Sequence, residues 1–131
     1  MNPMLRVLGS VVLVAAVNGG VCAEEKDAVG AQPELARLRN DITALVGPTS
    51  CSNLVNCRVA ALGVNACGGP TEHIAYSWRS TDKAALETKI AEYNFALEDA
   101  QKRGYLVSAC TASPEPVAAC VNGRCVIPAG R

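Results

Sequence analysis

The order of apolar patterns along the chain predicts an α+β protein: a small antiparallel sheet of two central strands plus a C-terminal hairpin, packed by two helices and stapled by disulfides. Three observations carry this expectation. Two stretches, 33–46 and 80–104, repeat apolar residues at spacings of three and four. Between them lie two strand-like runs on either side of Gly68-Gly69-Pro70. Near the C-terminus, Asn122-Gly123 separates two short apolar runs, the strongest short-range hairpin signal because both residues tolerate positive φ.

The first helix is read from Pro33, which suits a first helical turn, with Glu34 beside it favoured by the positive end of the helix dipole. Leu35, Leu38, Ile42, Leu45 and Val46 form one apolar stripe, and Gly47-Pro48 stops the helix. The small and polar residues 24–32 ahead of it read as a flexible lead-in. A loop over 49–56 carries Cys51, residues 57–64 read as a largely buried strand, and Cys67-Gly68-Gly69-Pro70 turns the chain. In the second strand, 73–78, alternation places Ile74, Tyr76 and Trp78 on one face and His73, Ala75 and Ser77 on the other. Ser80-Thr81-Asp82 offers a hydroxyl cap and a first-turn acid to the second helix. Its Leu86, Ile90, Tyr93, Leu97 and Ala100 share a face, and Gly104 ends it. This helix is expected to be the longest element and to lie across the sheet. Residues 105–109 read as a short strand, 111–116 as a turn-rich loop and 117–127 as the closing hairpin.

The N-terminus points to export. Arg6 precedes an apolar run over 7–17, and small residues lead to Val21-Cys22-Ala23, the pattern of a secretory signal peptide cleaved after Ala23. The run is too short to cross a bilayer, which takes about 20 residues, so the alternative of an uncleaved anchor has little apolar length behind it. A second reading makes Cys22 the acylated residue of a lipoprotein; the β-branched Val21 directly before it fits that signal poorly. The expected organisation is therefore a signal peptide over 1–23, a lead-in over 24–32 and a single disulfide-rich α+β domain over 33–131, with no transmembrane segment in the mature chain. Removing 1–23 takes only Arg6 from a balanced set of charges and leaves one net negative charge. With no basic stripe and only 4% aromatic residues, nucleic acid is excluded as an expected partner, and so is an anionic membrane surface recognised by charge.

Loss of Cys22 leaves six cysteines, Cys51, Cys57, Cys67, Cys110, Cys120 and Cys125. An even count in a short exported domain reads as a disulfide framework. Six cysteines allow fifteen pairings, and the sequence does not choose among them. A hairpin turning at Asn122-Gly123 would set Cys120 opposite Cys125 at a distance a bridge can span, whereas bridges to distant cysteines gain more chain entropy. Zinc sites favour short Cys-x₂₋₄-Cys knuckles, and only Cys120 and Cys125 come within that range. No Cys-x-x-Cys redox motif is present. No metal or cofactor is expected.

His73 is the only histidine, and a nucleophile–base pair would need it near a free Ser or Cys with an orienting acid. Its neighbour Glu72 points to the opposite face of a strand. No Gly-x-Ser-x-Gly, His-Glu-x-x-His or phosphate-cradling glycine motif occurs, so the chain is read as non-enzymatic. Trp78 and Arg79 are residue types that anchor interfaces, although scarce aromatics such as Tyr76 and Trp78 also serve as core. Candidate interaction residues are Gly68, Gly69 and Pro70 in the first turn, Trp78 and Arg79 at the end of the second strand, and Asn122, Gly123 and Arg124 at the hairpin tip.

The pattern of Cys57-Arg58, Cys67-Gly68-Gly69-Pro70, Tyr76-Ser77, Tyr93-Asn94 and Cys120-Val121-Asn122-Gly123-Arg124-Cys125 resembles an uncharacterised group of small exported bacterial proteins. The resemblance runs from Cys51 to the C-terminus and implies a location in the envelope or outside the cell. It implies no activity, ligand or catalytic residue. The expected function is that of a protein-interaction module, an inhibitor or accessory factor of an envelope or secreted enzyme. Alternatives are a periplasmic small-ligand binder using a cleft lined by Tyr76 and Trp78, and a lipoprotein tethered through Cys22.

Overall fold

The computed structural model describes residues 23–108, 110–111 and 114–129. The expected signal sequence up to and including Cys22 lies outside the described residues. The elements run α1 (Ala23–Val46), a 3₁₀ turn (Leu54–Asn56), β1 (Cys57–Leu62), β2 (Glu72–Ser77), α2 (Lys83–Lys102), β3 (Ala119–Val121) and β4 (Arg124–Val126). The α+β reading holds.

Helix α1 starts ten residues before Pro33, which lies inside it, so the expected lead-in is helical and α1 rather than α2 is the longest element. Residues 24–32 are mostly strong helix formers (Glu24, Glu25, Lys26, Ala28, Ala31 and Gln32). Proline removes one backbone donor, but a helix with good formers on both sides can run through it. Leu35, Leu38 and Ile42 are buried along the expected stripe.

Strand β1 pairs antiparallel with β2, Cys57 opposite Ser77 through Leu62 opposite Glu72. The strand ends at Leu62 rather than 64 because Gly63 turns away with φ +81°. Alternation makes this two-stranded sheet the middle layer of the molecule. Ala60, Leu62, Ile74 and Tyr76 pack against Ile42, Leu45 and Val46 of α1 and Leu86, Ile90 and Tyr93 of α2. Cys57, Val59 and Ala75 face the other way and pack against Cys51, Ala118, Cys120 and Cys125.

The hairpin is therefore not an extension of the first sheet. Strands β3 and β4 form a separate two-stranded sheet stacked on the face opposite the helices. Asn122 (φ 51°) and Gly123 (φ 75°) make its turn, as the dipeptide demands. The segment before the 3₁₀ turn braces β4: Ser50 bridges Arg124, the Cys51 amide donates to Gly123 O and the Cys125 amide to Thr49 O at 2.7 Å.

The expected strand at 105–109 is absent over 105–108, and Ala109 lies outside the described residues. Its neighbourhood offers side-chain tethers instead of a ladder: the Ala66 amide donates to Ser108 Oγ, Asn65 Nδ2 donates to Thr111 O, and Cys67 is bridged to Cys110. At the start of α2 the cap is Asp82, which accepts from the Ala85 amide at 3.0 Å. The hydroxyls read as caps serve the end of α1, Thr81 Oγ1 donating to Val46 O and Ser80 Oγ to Pro48 O. They satisfy carbonyls that the end of a helix leaves without partners.

Candidate interaction surface

The disulfides decide where the candidate surface lies. Cys51 is bridged to Cys120, Cys57 to Cys125 and Cys67 to Cys110. The local Cys120–Cys125 pairing allowed by the hairpin is not made; both cysteines reach instead to the chain around the 3₁₀ turn. The sulfurs of Cys51, Cys57 and Cys125 lie within 4.8 Å of one another. Each is bonded in a bridge, so none offers the thiolate that a metal ion takes as ligand.

The two adjacent bridges pin the 3₁₀ turn against the hairpin. Asn56, almost wholly buried, accepts from the Ser52 amide and Ser52 Oγ at 3.0 Å each. The turn consequently holds Leu54 and Val55 outward. Trp78 is fixed to the same turn by its backbone amide, which donates to Asn56 O at 3.1 Å, and by Nε1, which donates to Val55 O at 2.9 Å. Arg58 Nη1 also donates to Val55 O, at 2.8 Å, and the Arg79 guanidinium sits 5.9 Å from the centre of the Trp78 ring, a geometry worth about 0.5–1 kcal/mol at an exposed site. The extended segment 114–118 runs alongside, and a cleft of about 660 Å³ opens between Leu54, Val55, Val59 and Pro116, Val117.

Leu54 is 56% exposed, Val55 67%, Trp78 49% and Val117 78%. Large apolar side chains gathered at one place on a small surface mark interaction sites more often than singly scattered ones do. Trp78 and Arg79 follow the end of β2 at Ser77, so Trp78 is not the last residue of the strand on the face of Ile74 and Tyr76, as alternation had it. Leu54 and Val55 were missed because they fell in a stretch read only as loop, and Val117 because it was read as the start of the closing hairpin, which begins at Ala119. The available signal was an apolar pair, Leu54-Val55, amid polar neighbours.

Of the other candidates, Asn122, Gly123 and Arg124 lie beside the 49–51 segment through the Cys51–Gly123 and Ser50–Arg124 backbone pairs, on the same side of the molecule as the 3₁₀ turn. Gly68, Gly69 and Pro70 do not join them. They close the far end of the β1–β2 pair, about 20 Å away along six-residue strands. There Gly68 and Gly69 both take positive φ, and Asn65 organises the turn by accepting from the Gly68 and Cys67 amides.

Tyr76 and Trp78 do not share a cleft. Tyr76 is buried in the helix-side core, whereas Trp78 follows the end of β2 and turns out onto the 3₁₀ turn. The expected binding cleft lined by both rings is not formed. His73 is half-buried opposite Ala61 and makes no side-chain hydrogen bond to the described residues. Glu72 is held by both terminal nitrogens of Arg39, and this contact raises the Arg39 pKa above its ordinary value. Among the described residues no helix is long and apolar enough to cross a membrane.

No family model matches this chain, and neither a curated protein nor a solved structure matches it.

Proposed function

We propose that the chain is an exported, non-enzymatic protein-interaction module, an inhibitor or accessory factor of an envelope or secreted enzyme, and that it engages its partner through Leu54, Val55, Trp78 and Val117. The observation that carries this reading is the fixed outward presentation of four large apolar side chains around a turn held by two disulfides and by both Trp78 hydrogen bonds. A surface ordered before binding loses less conformational entropy on association. A tryptophan fixed to the same turn, with an arginine over its ring, is of the residue types found where binding energy concentrates. Three bridges fit an oxidising compartment, in line with a signal peptide cleaved after Ala23.

The test is capture of envelope proteins by wild-type bait and by Val55→Glu and Val117→Glu baits of equal thermal stability. The reading expects a partner retained by the wild type and lost from both variants. An identical set of captured proteins from all three would overturn it. Intact mass of the protein from its native host separates the modes of export: a chain starting at Glu24 without free thiols is the expected species, and acyl chains on Cys22 would make it a tethered lipoprotein.

A further inference from the structure

Two of the three disulfides lie against each other in a graded environment. Cys57 and Cys125 are buried, at 6% and 3% exposure, while Cys51 and Cys120 are half-buried. Of these two bridges an external thiol therefore meets Cys51–Cys120 first; Cys67–Cys110 is exposed but has no second bridge beside it among the described residues. The Cys51 sulfur lies within 4.8 Å of both Cys57 and Cys125, so a thiolate released at Cys51 has the inner bridge as its nearest disulfide. On the hairpin, Cys120 and Cys125 are direct cross-strand partners. The Cys125 amide points away from Cys120 to Thr49 O, which makes this a non-hydrogen-bonded pair, the kind with the closer side chains.

We propose that these four cysteines form a thiol–disulfide exchange site with two closed connectivities, interconverted by an external low-molecular-weight thiol. The thiolate attacks Cys120 Sγ, the Cys51–Cys120 bond breaks, and Cys51 leaves as a thiolate. Cys51 attacks Cys57 Sγ, forming Cys51–Cys57 and releasing the Cys125 thiolate. Cys125 attacks Cys120 Sγ, forming Cys120–Cys125 and expelling the external thiolate unchanged. The sequence consumes no electrons, and the thiol acts as catalyst.

The two connectivities differ in what they hold. In the first, the hairpin is bonded across the sheet to the chain around the 3₁₀ turn. In the second, the hairpin closes on itself and 51–57 closes on itself, so no covalent bond holds the hairpin over Val59 and Ala75. The exchange thus unlocks the hairpin side of the molecule and with it the cleft beside Leu54, Val55 and Val117. The chemistry itself does not depend on whether that cleft binds a partner.

The experiment is incubation of the native oxidised protein with a catalytic amount of reduced glutathione, followed by acid quench and disulfide mapping without reduction. The expected result is glutathione-dependent appearance of Cys51–Cys57 and Cys120–Cys125 linkages, with Cys67–Cys110 constant. Unchanged connectivity would overturn the proposal, as would linkage of the exposed Cys67 or Cys110 to any of the other four cysteines to the same extent, which signals general unfolding. Cys120→Ser supplies an independent reading, since it leaves Cys51 without its partner. Acidic alkylation in denaturant should then find the free thiol shared with Cys57 or Cys125; a thiol confined to Cys51 would contradict the mechanism.

Discussion

The two faces of the β1–β2 sheet are held by different physics. On the helix side Ile42, Leu62, Tyr76, Leu86 and Ile90 interlock, and burying a large aliphatic side chain there is worth about 1.5–3 kcal/mol. On the hairpin side the buried residues are small, Cys57, Ala118 and Cys125 with Val59 and Ala75 beside them, and three-residue strands offer few ladder bonds. Covalent closure replaces area on that side. The two adjacent bridges span 69 and 68 residues, so the first to close removes about 4 kcal/mol of unfolded-chain entropy. The second then closes only a short ring and adds about 3 kcal/mol on the same account. A domain this small gains from such division, because a single apolar core supplies little stability.

Each face can be broken separately. The largest effect is expected from Leu62→Ala, which opens a cavity beneath both helices and should cost about 3–4 kcal/mol. Its loss should lower the hydrogen-exchange protection of every slow amide together. Cys57→Ala/Cys125→Ala should cost about 3 kcal/mol. Because that cost acts through the unfolded chain, amides that exchange by global unfolding lose protection on both faces, and 49–51 and 119–126 should lose more through local opening of the hairpin. No extra loss at 49–51 and 119–126 would mean that the bridge does not hold the hairpin separately from the helix-side core.

Smaller effects sharpen the contrast. Gly63 has φ +81°, and a Cβ there would overlap Thr71 Oγ1. Gly63→Ala should cost about 2 kcal/mol by denaturant titration. Adding Thr71→Ala should recover the part due to the clash and leave the part due to positive φ. Ser77 is wholly buried, and its hydroxyl finds no partner among the described residues. Ser77→Ala should therefore be neutral or stabilising by up to about 1 kcal/mol. A clear destabilisation would mean that the hydroxyl is satisfied in solution.

This division also explains what the sequence could and could not convey. The elements of the helix side follow from local signals: apolar stripes at spacings of three and four, Gly104 at φ +76° ending α2, and alternation that sent Tyr76 inward. On the hairpin side the Asn122-Gly123 turn was equally legible, being a property of two residues. Where that hairpin docks was not. Its position depends on contacts nearly 70 residues apart, and alternation within a strand gives no sign of which sheet it joins. The candidate surface inherits the same gap. Trp78 and Arg79 are recognisable by type, but Leu54, Val55 and Val117 become a surface only when two bridges draw their loops together. Pro33 misled for a different reason: a residue favoured at a helix start was weighed above nine preceding residues with mostly high helical propensity.

The pairing of the cysteines carries all of this, and a non-reducing disulfide map of the protein, isolated with its thiols blocked, tests it most directly. The account predicts Cys51–Cys120, Cys57–Cys125 and Cys67–Cys110 with no free thiol. A Cys120–Cys125 linkage in protein never exposed to an external thiol would contradict it, because the hairpin would then have no covalent hold on the sheet.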